Sequence, residues 1–239
     1  MIKLYFIRHA QAANQTETVP GVHPNPHLSE TGFQQAQKLA EKLKELKLDI
    51  DVLYSSSMLR ALDTAKIIHE KLKIPWQVWP ALIETGRRDW PKLRGENYNN
   101  KEISSKELSK VNEEEHFLKE LYPALSELKN YYPDINLSQP FDWPDLWWIP
   151  MYKEKREKAY ARANKVINSF KAKYLDDDIT IAVVSHAAFG SVLFTIMLGS
   201  KPCDYNRYSF ENASISRLDL DKEKVILRFH NYIFHCSKI

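Results

Sequence analysis

Two histidines of the sequence directly follow apolar, strand-like runs, and each has a polar neighbour. Arg8-His9 ends one such run and Ser185-His186 ends another. Histidine titrates near pH ~6.5, so a neutral imidazole nitrogen is available as a nucleophile around pH ~7. Phosphoryl transfer to such a nitrogen also needs guanidinium groups for the phosphoryl oxygens and an acid for the leaving oxygen. The sequence supplies these types at strand ends or beside helix starts: Arg8, His9, Arg60, Glu84 and His186.

Each of these residues also has an ordinary structural interpretation. A single histidine at a strand end is usually a polar residue with satisfied hydrogen bonds, Arg60 is by default a solvated helix arginine, and Glu84 a loop carboxylate. His23 and His27 are weak candidates for metal ligands, because two prolines separate them and no cysteine or aspartate stands at ligand spacing. We therefore predict no metal site and no cofactor.

Short apolar runs alternate with amphipathic stretches, and these are the elements that must position the five side chains. Apolar spacing predicts a helix that begins near Ser29 or Thr31, where Thr31 and Gln34 have the spacing of a capping box. The same criterion predicts helices around residues 61–72, 118–128, 153–174 and 189–196. The predicted strands are residues 3–7, 51–54, 77–79, 179–184, 214–220 and 225–229.

This alternation predicts an α/β fold, a three-layer sandwich with a mostly parallel central sheet and helices on both faces. The sequence DKEK joins the last two strands and is too short for a crossover, so one pairing near the C-terminus is antiparallel. Ligands of such sheets bind beyond the carboxyl ends of the strands. Arg8-His9 and Ser185-His186 stand at that position.

Composition and charge limit the classes of protein that this chain can be. Its 239 residues, 44% of them hydrophobic, suit one domain over residues 1–239 with an insertion or cap at about 97–150. A net charge of +3, spread along the chain, argues against a nucleic-acid partner. No apolar run approaches the ~18 residues of a membrane span, and Cys203 and Cys236 are too few for a disulfide scaffold. We expect a cytoplasmic protein without a membrane partner; its oligomeric state is left open.

Seven segments of the chain carry a resemblance to known proteins. In chain order they are FIRHAQAANQ, HLSETGFQQAQKLAEKL, LYSSSMLRALDTAKII, ALIETG, VVSHAAFG, FENASISRLDL and HNYIFHC. Together they resemble the phosphoglycerate mutase-like histidine phosphatase superfamily. The resemblance spans nearly the whole chain. It implies a metal-independent reaction on a small phosphorylated metabolite, with His9 as the nucleophile that carries the phosphoryl group. Arg8, Arg60 and His186 would surround the phosphate and Glu84 would donate the proton.

Several positions depart from the family pattern. The branch that uses an aspartate donor has it directly after the second histidine, where this chain has Ala187, and this favours the Glu84 branch. Because Ala187 opens a predicted helix, its amide could still face an anion. Either Asn14 or Gln15 stands for the family's substrate-binding asparagine. Further departures are Ala10, Asn25, His27, Asp63 and Ala188.

The favoured function is hydrolysis of a phosphomonoester. The alternatives are mutase-type phosphoryl transfer and a catalytically silent regulatory binding module. No segment here resembles the family's Arg-Ser-Tyr mutase motif, although Arg87, Arg88 and Arg94 could bind a second anionic group. The natural ester is left open. So is the aromatic segment 131–148, which either covers the pocket or packs against the core.

Overall fold

The computed structural model describes residues 1–15, 25–85, 123–137, 154–202 and 207–233. The strands are β1 (Ile2–Arg8), β2 (Val52–Ser55), β3 (Trp76–Val78), β4 (Ile179–Ser185), β5 (Ile215–Leu220) and β6 (Val225–Tyr232). They form one six-stranded sheet in the order β3-β2-β4-β1-β5-β6. The predicted α/β class with a mostly parallel central sheet is confirmed.

Strands β1 to β4 pair in parallel, and β5 is antiparallel to its two neighbours. β4 pairs in parallel with both β1 and β2, and β2 pairs in parallel with β3. The predicted antiparallel pairing of the last two strands is present as β5–β6, and β5 is also antiparallel to β1. The carboxyl ends of β1 to β4 and the amino end of β5 therefore meet at one edge of the sheet.

Helices cover both faces of the sheet. A hydrophobic core lies on each face of the sheet, and successive residues of β1 point into them alternately. Tyr5 and Ile7 are buried in the first core, and Leu4 and Phe6 in the second. In the described part of the chain the α-helices are α1 (Glu30–Glu45), α2 (Leu59–Leu72), α3 (Leu125–Tyr131), α4 (Arg156–Tyr174) and α5 (Ala187–Met197). The first core takes its α-helical side chains from α1, α2 and α3, and the second from α4 and α5.

The start of α1 is fixed against the loop that follows β1. Ser29 is the N-cap, and its hydroxyl accepts a hydrogen bond from the amide of Gly32 at 3.0 Å. This settles the predicted start in favour of Ser29, so Thr31 does not act as the cap. A Cβ on Gly32 would lie 2.0 Å from the carbonyl oxygen of Gln11. Glycine is needed here because helix and loop backbones are in contact.

The described part of the predicted insertion packs against the sheet. Helix α3 begins at Leu125, two residues after Pro123. Leu128 and Tyr132 are buried in the first core, and Asn136 forms a bridge with Gln77 at the β3 edge. The predicted helical positions 118 and 121, and residues 138–150 with their three tryptophans, lie outside the described residues.

Candidate active site

The pairing of β1 with β4 brings the two histidines together. Arg8 is in register with Ser185, and the His9 amide donates to the Ser185 carbonyl oxygen at 2.9 Å. The rings of His9 and His186 are 5.1 Å apart between centroids. The two polar pairs found in the sequence thus form one site, because adjacent parallel strands end at the same edge.

His9 has one nitrogen fixed by the backbone and one facing a cation. Its Nδ1 lies 2.7 Å from the carbonyl oxygen of Ala10, and its Nε2 lies 3.1 Å from Nε of Arg60. A carbonyl can only accept and a guanidinium can only donate, so the ring proton belongs on Nδ1. Nε2 is left with a lone pair, as a nucleophile requires.

The surroundings of His9 favour the neutral ring. The side chain is buried, and this desolvation lowers its pKa well below the usual 6.5. The positive charges of Arg60 and Arg8 lower the pKa further, and the hydrogen bond to Ala10 opposes them. His9 is therefore unprotonated around pH ~7.

Arg60 reaches the site from the first turn of α2. The side chain of Asn25 accepts a hydrogen bond from the Leu59 amide at 2.9 Å and so helps to hold the start of this helix. Thr64, one turn later, donates to the Arg60 carbonyl oxygen at 2.8 Å and accepts from the Ala10 amide at 3.2 Å. These bonds tie α2 to the loop that carries His9.

His186 is fully buried next to His9. Its Nε2 lies 2.8 Å from the hydroxyl oxygen of Ser56. Its Nδ1 is buried and has no hydrogen-bond partner in the described part of the chain. Burial, followed by the positive charge of Arg60, lowers the pKa of His186 well below 6.5. A buried polar nitrogen of this kind is costly to leave unpaired, so it suits a ligand.

Arg8 is held at the amino end of β5. One terminal nitrogen of its guanidinium donates to the carbonyl oxygen of Phe210 at 2.5 Å. Burial lowers the pKa of Arg8, and the charges of Glu84 and Glu211 oppose that effect. Its Nε is buried without a hydrogen-bond partner among the described residues. Arg8 thus retains donor capacity at the site.

A pocket of about 380 Å³ opens at this edge of the sheet. It contains seven of the eight residues that the sequence predicted for catalysis or binding; the eighth, His186, is fully buried beside His9. The volume suits a small molecule. The pocket is lined by Arg8, His9, Ala12, Asn14, Gln15, Arg60, Glu84, Thr85, Ala187 and Ala188.

Glu84 is bound to the amino end of α5. Its Oε1 accepts from the amides of Thr85 at 2.9 Å and Phe189 at 2.8 Å, and its Oε2 lies 3.4 Å from the amide of Ala188. A helix amino end stabilises an anion, and here the Glu84 carboxylate binds the amides of Ala188 and Phe189, while Ala187 lines the pocket. Oε1 is committed to backbone amides, so Oε2 is the freer oxygen.

The two alternatives for the substrate amide, Asn14 and Gln15, both line the pocket. Gln15 is also used within the protein, because its side-chain oxygen accepts from the amide of Ala12 at 2.8 Å and from the side chain of Asn212 at 3.2 Å.

The described residues contain no group of three or more His, Cys, Asp and Glu side chains that could hold a metal ion. His27 is bonded through Nδ1 to Asp63 at 2.9 Å, and His23 lies outside the described residues. In the same part of the chain, every helix is too short or too polar to cross a membrane.

The sequence model of the histidine phosphatase superfamily (branch 1) matches residues 4–120 and 122–233. The chain belongs to this superfamily. Among its relatives is the 2,3-bisphosphoglycerate-dependent phosphoglycerate mutase of Staphylococcus aureus (strain MRSA252), which is 28% identical over 192 residues. That alignment covers 78% of this chain and 80% of the mutase.

Two solved structures share the histidine phosphatase fold at 20% identity. A phosphoserine phosphatase variant from Entamoeba histolytica, crystallised with phosphoserine, matches with a TM-score of 0.60 over 98% of this chain and 99% of its own. A mycobacterial glucosyl-3-phosphoglycerate phosphatase, solved with VO3, matches with a TM-score of 0.60 over 96% and 98%. These likenesses establish a common fold.

Sequence reasoning missed several residues of this histidine phosphatase site. Ser56 supports His186, and the side chain of Asn212 donates to the His9 carbonyl oxygen at 3.2 Å. A signal for Asn212 existed, because the amino end of an antiparallel strand shares the edge at which parallel strands end. Thr85 lines the pocket beside Glu84.

Proposed function

We propose that the protein hydrolyses a small phosphomonoester, without a metal ion, through a phosphoryl group carried on His9. The state of His9 is the observation that carries the proposal. Its Nδ1 is bonded to the Ala10 carbonyl oxygen, and its Nε2 keeps a lone pair beside Arg60. Membership of the histidine phosphatase superfamily supports the same reaction class.

In the first step the Nε2 lone pair of His9 forms a bond to phosphorus while the bond from phosphorus to the ester oxygen breaks. Positive charge then spreads over the imidazole, and the Ala10 carbonyl stabilises it at Nδ1. The phosphoryl oxygens take donors from Arg8 and Arg60. We infer that His186 donates from Nδ1, because the hydroxyl proton of Ser56 is available to its Nε2.

Glu84 supplies the proton that the leaving oxygen needs. Because Oε1 already accepts from two amides, the proton is carried on Oε2. It passes to the ester oxygen as the bond to phosphorus breaks, and an alcohol leaves. The carboxylate formed is stabilised by the amino end of α5.

In the second step water replaces the alcohol. The Glu84 carboxylate takes a proton from the water as its oxygen forms a bond to phosphorus and the N–P bond breaks. The electron pair of that bond returns to Nε2 of His9. Inorganic phosphate leaves, and Glu84 is protonated again for the next cycle.

Phosphoglycerate mutase activity is the second candidate, and the staphylococcal relative favours it. The two reactions share the first step and differ in the acceptor, which is water in one case and a hydroxyl of bound phosphoglycerate in the other. Arg87, Arg88 and Arg94, the candidates for a second anion site, lie outside the described residues.

The test incubates the purified chain in EDTA with p-nitrophenyl phosphate, phosphoserine and 3-phosphoglycerate. Inorganic phosphate and the phosphoglycerate isomers are measured separately, and His9→Ala serves as the control. Release of phosphate by the wild type alone supports hydrolysis. Isomerisation without release of phosphate would assign the mutase reaction. If the protein shows neither release nor isomerisation, it is a silent binding module. Activity that appears only with added divalent metal would contradict the metal-free mechanism.

A further inference from the structure

A buried arginine lies behind the turn that carries Glu84. Arg162 projects from α4, and its side chain is 5% exposed. Its Nε and one terminal nitrogen bind the two carboxylate oxygens of Glu154 at 2.9 and 2.7 Å. A buried, two-pronged pair of this kind holds a guanidinium in one orientation.

The remaining donors of Arg162 hold the backbone of the Glu84 turn. The terminal nitrogen that does not bind Glu154 donates to the carbonyl oxygens of Ala81 at 2.8 Å and Ile83 at 2.9 Å. The terminal nitrogen that binds Glu154 also lies 3.5 Å from the carbonyl oxygen of Glu84. All five N–H groups of the guanidinium are thereby used. Lysine, with three donors on one nitrogen, cannot reproduce this set.

Arg162 also contacts the helix that holds the Glu84 carboxylate. Its guanidinium carbon lies 4.2 Å from the ring centroid of Phe189, and the Phe189 amide donates to Oε1 of Glu84. Cation–π contact at this distance is attractive. The same guanidinium therefore supports both the backbone of Glu84 and the helix end that binds its carboxylate.

We infer that Arg162, oriented by Glu154, is a positioning residue that holds Glu84 in place to protonate the leaving oxygen. This rests on the proposed proton transfer from Glu84. Arg162 does not line the pocket, and its contacts with the site are those to the Glu84 turn and to Phe189 of α5. Its loss should therefore resemble the loss of Glu84, which matters most for esters with poor leaving groups.

The test measures kcat and KM for an alkyl phosphate, a poor leaving group, and for p-nitrophenyl phosphate, a good one. In Arg162→Lys we expect kcat/KM for the alkyl ester to fall by about tenfold or more and kcat/KM for the aryl ester by less than about threefold, since a good leaving group needs little protonation. The comparison uses kcat/KM because this ratio reports the transfer to His9 and not the later hydrolysis, in which Glu84 acts on water for both esters alike. In a Glu84→Gln background the same substitution should produce no further difference between the esters.

Two further variants separate positioning from stability. Arg217→Lys is the matched control, because Arg217 also donates through two nitrogens to the two oxygens of a buried carboxylate, that of Asp219. Arg217 is not bonded to the Glu84 turn. Arg217→Lys should affect both esters equally. If Arg162→Lys does not fold, the charge-balanced pair Arg162→Gln/Glu154→Gln replaces it under the same criterion.

The outcomes distinguish the inference from the function on which it rests. Equal losses for both esters in the Arg162 variant, with a selective loss in Glu84→Gln, would overturn the positioning role and leave the proton donor intact. No selectivity in Glu84→Gln would overturn the proton-donor role, and the positioning role with it. Selective loss in both, absent from Arg217→Lys, supports the inference.

Discussion

His9 and His27 are two histidines whose surroundings act in opposite directions. Burial and two arginines lower the pKa of His9, whereas the hydrogen bond to Asp63 raises the pKa of His27. The neutral ring of His9 is what the proposed nucleophile needs, and it is produced by the fold before any substrate binds.

We predict that the two rings titrate on opposite sides of pH 6.5 in the free protein. The measurement is a titration of ring ¹⁵N chemical shifts, assigned with His9→Gln and His27→Gln. His9 should remain neutral, with its proton on Nδ1, well below pH 6.5. A His9 midpoint at or above that of His27 would contradict the electrostatic account of the site.

Arg60 contributes geometry as well as charge. We predict that Arg60→Lys lowers kcat/KM by about tenfold or more, because lysine keeps the charge and loses the planar donor set next to His9. Steady-state kinetics with p-nitrophenyl phosphate measure this. The control is Arg228→Lys, which conserves the charge of a half-exposed side chain on the edge strand β6. This variant should leave kcat/KM unchanged. An equally silent Arg60→Lys would place Arg60 outside the reaction.

At the scale of elements, most of the strands and helices could be predicted from apolar spacing. The edge of the sheet at which the pocket lies could also be predicted, because Arg8-His9 and Ser185-His186 stand at the carboxyl ends of β1 and β4. The hydrogen bonds from Arg162 that hold the backbone of the Glu84 turn could not be predicted. Arg162 lies 78 residues further along the chain and acts on carbonyl groups, which every residue has, so the sequence holds no signal for its partners.

Two departures from the family pattern turn out to be bonded to each other. Asp63 accepts from His27 Nδ1 at 2.9 Å, from the Leu28 amide at 3.1 Å and from the hydroxyl of Tyr132 at 2.7 Å. Asp63 lies on α2 and Tyr132 directly follows α3. This network therefore joins the described part of the insertion to the loop before α1.

We predict that Asp63→Ala lowers the free energy of unfolding by about 2–4 kcal/mol, because it leaves the buried Tyr132 hydroxyl without its acceptor. Tyr132→Phe should cost less. Urea denaturation of both variants and of the double variant measures the coupling. The double variant should be more stable than the sum of the two losses implies. Strict additivity would mean that the two side chains do not share a stabilising bond.

At the scale of the whole molecule, the buried histidines link stability to pH. The folded pKa values of His9 and His186 lie well below 6.5, so below pH 6.5 the unfolded chain binds protons that the folded chain does not. That difference destabilises the fold as the pH falls. The contribution of His27 to the free energy of unfolding has the opposite sign. It stabilises the fold below pH 6.5, and this stabilisation is lost as the pH rises through the raised pKa of the folded state.

We predict that the two buried rings dominate, and that the free energy of unfolding falls steadily between about pH 6.5 and 5. Urea denaturation across this range measures the slope. His9→Gln should flatten it, and His27→Gln should steepen it. A wild-type stability that rises on acidification would contradict the assignment of two buried neutral histidines.

The central claim, a phosphoryl group carried on His9, is tested most directly by trapping it. The protein is mixed rapidly with p-nitrophenyl phosphate and quenched in alkaline denaturant, in which phosphohistidine survives. Peptide mass spectrometry then locates the added group. The account predicts one phosphoryl group on His9 in the wild type and in His27→Ala, and none in His9→Ala. Phosphate on another residue, or turnover that persists in His9→Ala, would contradict it.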